Sequence, residues 1–149
     1  MPWYNSGKSL FVAGFTCYWS STTASFYATL VRASYIPSES HVYASAFSGS
    51  ELSSTSFTAG YNGTQRISLT VRTVTINNVS NIVQLSCADL SWAGISAGTA
   101  GTLVIFAQSG SDALSPLIGF TCAGGLPVTT NGTNLTISFG SAGILSVTD

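Results

Sequence analysis

The apolar positions of this chain recur mostly at every second residue, in short stretches parted by Gly, Asn, Pro and Ser, which is the pattern of an all-β domain. A first pair of strands is expected near residues 8–13 and 25–32, where Phe26, Ala28 and Leu30 alternate with Tyr27, Thr29 and Val31. The hydroxyl-rich stretch 19–24 between them reads as a loop. Residues 66–76 carry the clearest signal: Ile67, Leu69, Val71 and the apolar positions after them alternate with Arg, Ser and Thr, so one face is buried and one is wet. Asn77-Asn78 then turns the chain into a strand over 82–90, and the two form an antiparallel pair.

The run Leu103-Val104-Ile105-Phe106-Ala107 is continuously apolar, as a central strand covered on both faces must be. Further strands are expected at 116–122 after a turn over 109–115, at 135–139, and at 144–147, for a total of about eight to ten. Asn131-Gly132, a favoured two-residue hairpin turn, precedes the strand at 135–139. The exception to the two-residue period is 40–47, where Val42 and Ala46, and Tyr43 and Phe47, stand four apart. That spacing predicts a short helix capped by Ser38 or Ser40, with a strand as the second choice. Residues 48–63, with Gly49, Gly60 and Asn62-Gly63, read as an extended loop free to carry contacts. The expected fold class is therefore mainly all-β, an antiparallel β-sandwich or jelly-roll-like barrel with one short helix. At 149 residues it is expected as one domain over 1–149.

Composition changes the picture at the surface. Only 6% of residues are charged, against roughly a quarter in an average soluble domain, and 25 Ser and 18 Thr take their place. A hydroxyl surface suits β-strands but repels neighbouring molecules weakly, which favours a protein whose exterior is covered by partners. The net charge of −1, with Lys8, Arg32, Arg66 and Arg72 scattered, offers no footprint for nucleic acid. No apolar run reaches membrane-spanning length, and Met1-Pro2-Trp3-Tyr4 does not begin a secretory signal. Neither nucleic acid nor membrane is expected as a partner.

Chemistry is sparse. His41 is the one histidine, and Glu39 beside it could in principle complete an acid–base pair, but no G-x-S-x-G elbow accompanies them. Glu39, Glu51, Asp89, Asp112 and Asp149 are dispersed, without glycosidase or two-metal spacing. Cys17, Cys87 and Cys122 form no ligand motif; each is expected as a buried inert thiol, with one pairing open on oxidation. The glycines at 98, 101, 124 and 125 belong to turns, since no Lys or helix follows them as in a phosphate cradle. No catalytic residue, cofactor or metal is expected, and the chain reads as non-enzymatic. Trp3, Trp19 and Trp92, with the tyrosines, leave open a receptor- or carbohydrate-binding module in which flat rings stack on sugars.

Four stretches carry a resemblance. Tyr4-Asn5-Ser6-Gly7-Lys8, the turn Tyr35-Ile36-Pro37 ahead of a His and aromatic segment, Ser115-Pro116-Leu117-Ile118-Gly119-Phe120, and Gly143-Ile144-Leu145 resemble small virion structural proteins of tailed phages. The likeness spans almost the whole chain, though here Ser, Thr and Ala stand where many Asp, Glu and Lys are expected. It implies a capsid cement or decoration protein on the exterior of the virion head, made in the host cytoplasm, with the major capsid protein as partner. Self-association as a homodimer or homotrimer is expected alongside, and a tail or fibre-associated binding module is the alternative. The contact elements expected are the N-terminal arm, residues 1–8, and the loop 48–63. Trp3, Tyr4, Phe57 and Tyr61 are the interface residues expected on them.

Overall fold

The apolar run at 103–107 ends β6 (Gly98–Ala107), the strand around which the computed structural model is arranged; the structure describes residues 2–12, 19–21, 23–53, 57–140 and 143–148. On one side β6 pairs antiparallel with β1 (Phe26–Arg32), from Phe26 against Ala107 to Val31 against Thr102, with a bulge at Val31/Arg32. On the other it pairs with β7 (Leu117–Thr121) and, nearer its start, with β8 (Val128–Thr130). The short β2 (Ile67–Ser68) lies outside β1 and completes a five-stranded sheet.

Alternation along β1 and β6 explains why the run is apolar throughout. Phe26, Ala28, Leu30, Leu103 and Ile105 enter a principal core with Trp19, Leu52, Leu85, Leu90, Trp92 and Ile95. Val31, Val104 and Phe106 face the other way, into a second core with Tyr4, Tyr35, Ala44, Phe47 and Leu117. Both faces of the sheet are thus dry, and every residue from Leu103 to Phe106 is fully buried. The principal core is closed by a three-stranded sheet, ordered β10 (Leu145–Thr148), β4 (Ile82–Ser86), β3 (Thr73–Asn77), and by the pair β5 (Leu90–Trp92) and β9 (Leu135–Ile137). The result is a mainly antiparallel β-sandwich, with ten strands and a short α-helix among the described residues, the fold class expected.

That helix is not where the spacing predicts it. Residues 8–13, expected as a strand, fall largely in α1 (Asn5–Val12), with residue 13 outside the described part. Residues 2–4 take the place of a strand instead: Trp3 bridges Gly119, Tyr4 N–H donates to the Ile118 carbonyl at 3.0 Å, and Phe120 N–H to that of Pro2 at 3.0 Å. The edge of β7 is thereby filled, and the chain coils away from it. Gly7 permits the approach, since a Cβ there would lie 2.3 Å from the Ile118 carbonyl oxygen. Over 40–47 the expected helix shrinks to a 3-10 turn at Ala44–Ala46 without a side-chain cap. The backbone just before it is engaged elsewhere: Val42 accepts from Leu117 N–H at 2.9 Å, and Tyr43 bridges Pro116. The Ser38 and Ser40 hydroxyls bond each other rather than a helix end.

Two expected strands are each cut in two. Residues 66–76 supply β2 to the five-stranded sheet and β3 to the three-stranded one, with Val71 between them at φ 50°. Arg72 fastens the break: it donates to the carbonyls of Ala24, at 2.7 Å, and Ser21, and its guanidinium lies 4.8 Å from the Phe26 ring centre. Residues 82–90 likewise divide between β4 and the start of β5. The β3–β4 hairpin itself is as expected, its turn opened by Asn77, whose Oδ1 accepts from Val79 and Ser80 N–H. Asn131-Gly132 does not make a hairpin. Its flanking strands β8 and β9 belong to different sheets, and Gly132, at φ 90°, donates its N–H to the Ile95 carbonyl.

Candidate functional site

Of the four residues expected at an interface, one is at the surface. Tyr61 is exposed, while Phe57 packs against the principal core and Trp3 is half-buried with its indole N–H donating to the Ser146 carbonyl of β10 at 3.0 Å. Tyr4 is fully buried; its ring sits 4.9 Å from that of Phe120, and its hydroxyl is 3.2 Å from the Tyr35 hydroxyl. The segment expected as an N-terminal contact arm is a built part of the fold, because backbone pairing to β7 and two aromatic rings hold it there. The loop 48–63 departs in the same way. It gives Leu52 to the core and Glu51 to the interior, where Glu51 bridges Val31. Residues 54–56 lie outside the described part.

Glu51 belongs to an ionic cluster that no motif announces. Arg66, itself buried, donates from Nε to Glu51 Oε1 at 3.1 Å and from Nη2 to the same oxygen. Its Nη1 and Nη2 donate to Asp112 Oδ1 at 2.5 Å and Oδ2 at 3.0 Å. The guanidinium carbon also lies 5.0 Å and 5.7 Å from the ring centres of Phe106 and Phe47. Burial works against the Arg66 charge, but hydrogen bonds and charge from Asp112 and Glu51 outweigh it, and the Arg66 pKa moves up. Thr29 Oγ1 and Gly60 N–H donate to Glu51 Oε2. Both carboxylates are thus held by the guanidinium, an arrangement that ties three loops together.

His41 does not pair with Glu39. Its Nδ1 lies 2.9 Å from the Tyr35 hydroxyl, forming a row Tyr4–Tyr35–His41, whereas Glu39 bonds Lys8 at 2.6 Å on the surface. Burial raises the pKa of both phenols, so they remain neutral hydrogen-bonding groups. Of the cysteines, Cys87 is half-buried, and burial and nearby Asp89, opposed by Arg72, push its thiol up to about 11. Cys122, expected inside, is exposed, and Cys17 lies outside the described residues. Brief treatment of native protein with a thiol reagent, read by peptide mass spectrometry, is therefore expected to label Cys122 well before Cys87.

Among the described residues no group of three or more His, Cys, Asp or Glu converges as metal ligands would, and no helix is long and apolar enough to cross a membrane. Trp19 and Trp92 are fully buried and unavailable for stacking on a sugar. The exposed large apolar side chains are instead Ile36, Val42, Tyr43, Tyr61, Val71, Ile76, Val79 and Leu114. Comparison with protein-family models, with curated proteins and with solved structures finds no match.

Proposed function

We propose that this chain is a non-enzymatic building block of a larger assembly: a virion structural protein that acts as capsid cement on the outer surface of a tailed-phage head. The observation that carries the reading is where the few charges go. Of the eight charged residues described, Glu51, Arg66 and Asp112 neutralise one another inside, and Lys8 and Glu39 pair with each other. Arg72 is spent on backbone carbonyls, and Asp89 on the Ser138 hydroxyl and Phe139 N–H, which leaves Arg32. The exterior is then almost wholly hydroxyl and apolar. Such a surface docks with little loss of ionic hydration, and repeated copies on a symmetric shell add modest contacts into firm attachment.

Cosedimentation tests it. Saturable binding to assembled shells and none to free capsid subunits is expected, with little weakening at about 1 M salt, where charge interactions are screened beyond about 3 Å. Binding to unassembled subunits alone, or to neither, overturns the reading.

A further inference from the structure

The three-stranded sheet ends on β3, and among the described residues no backbone group of Thr73–Asn77 is bonded to anything but β4. Elsewhere residues 2–4 lie along the edge of β7, and on β10, the other outer strand of this sheet, the Ser146 carbonyl takes the Trp3 indole. An open strand edge invites another strand, and proteins that must avoid this place Lys, Pro or a bulge there. β3, with the sequence TVTIN, has none of these.

We propose that β3 pairs antiparallel with β3 of a second copy about a twofold axis at Thr75, joining two three-stranded sheets into one of six strands. The choice of a second copy rests on register. A twofold at Thr75 sets Thr75 against Thr75, Val74 against Ile76 and Thr73 against Asn77, so apolar meets apolar on one face and polar meets polar on the other. Val74 already packs on the principal core, while Ile76 is 67% exposed and gains cover from the second Val74. The same axis brings the end bearing Val71, 75% exposed, toward the end bearing Val79, 97% exposed. Arg72 is the one charged residue between Val71 and Val79, and the two Arg72 side chains fall at opposite ends of the joint, so the copies do not repel.

This deepens the assembly reading and rests on it, supplying the contact between copies rather than the contact with the shell. In sedimentation velocity the full chain is expected to shift from monomer to dimer with concentration. Thr75→Lys, at an exposed position, raises the dimer dissociation constant at least about tenfold, with an unchanged thermal midpoint at concentrations where both chains are monomeric. In a Cys122→Ser background, which removes the exposed native thiol, mild oxidation of Thr75→Cys yields a disulfide dimer, because residues directly opposite stand about 4.5–5.5 Å apart at Cα. In the same background Thr73→Cys and the chain with threonine at both positions do not, since the two copies of residue 73 lie about 14 Å apart. A monomer at all concentrations, or equal cross-linking through residues 73 and 75, overturns the pairing. Shell binding by a chain that never dimerises overturns the edge contact alone; a Thr75→Cys-linked dimer that binds no shells overturns the cement reading alone.

Discussion

Replacing Arg66 with methionine is expected to lower folding stability by about 3–5 kcal/mol, because it strands a buried carboxylate without its counter-charge. Glu51 is fully enclosed and keeps only the weak donations of Thr29 and Gly60 once the guanidinium is gone. The cation over Phe47 and Phe106 is lost at the same time. Against a total of roughly 5–15 kcal/mol for a domain, this is a large fraction. It is read as a fall in the urea midpoint at constant slope. Combining Arg66→Met with Glu51→Gln and Asp112→Asn removes the uncompensated charges and is expected to recover much of the loss. A single substitution costing under about 1 kcal/mol would mean that the cluster behaves like an exposed ion pair.

The second large effect is expected at Trp92, which is fully buried and donates its indole N–H to the Gln65 carbonyl at 2.8 Å. Trp92→Ala is expected to cost about 3–5 kcal/mol through the cavity it opens where β5 meets the principal core. Trp92→Phe retains most of the bulk but leaves a buried carbonyl unpaired, for about 1–3 kcal/mol. Hydrogen exchange separates this from general loosening: protection should fall first in β5 and β9, which are paired only with each other.

How far each feature could be read from the chain depended on whether its cause was local. β6 was legible because cover on both faces writes an unbroken apolar run. The cut between β2 and β3 is also written in the chain: Ile67, Leu69 and Val71 are odd-numbered while Val74 and Ile76 are even, so the alternation slips at Arg72-Thr73. α1 had no such mark, because what displaces a strand there is the edge of β7, more than a hundred residues further on. Tyr4 and Trp3 read as free contact aromatics for the same reason. The ionic cluster joins residues 15 and 46 positions apart, and single charges scattered through hydroxyl-rich sequence give no hint of convergence.

The bond from Trp3 to Ser146 spans 143 positions. During synthesis the Tyr4 ring waits for β7 and the second core can close once Phe120 is made, whereas the principal core takes Ile144 and Leu145 and waits for β10 to reach β4. The two faces of the central sheet are therefore sheltered at different times, the Tyr4 face when β7 arrives and the Trp19 and Trp92 face only when the chain has reached Leu145.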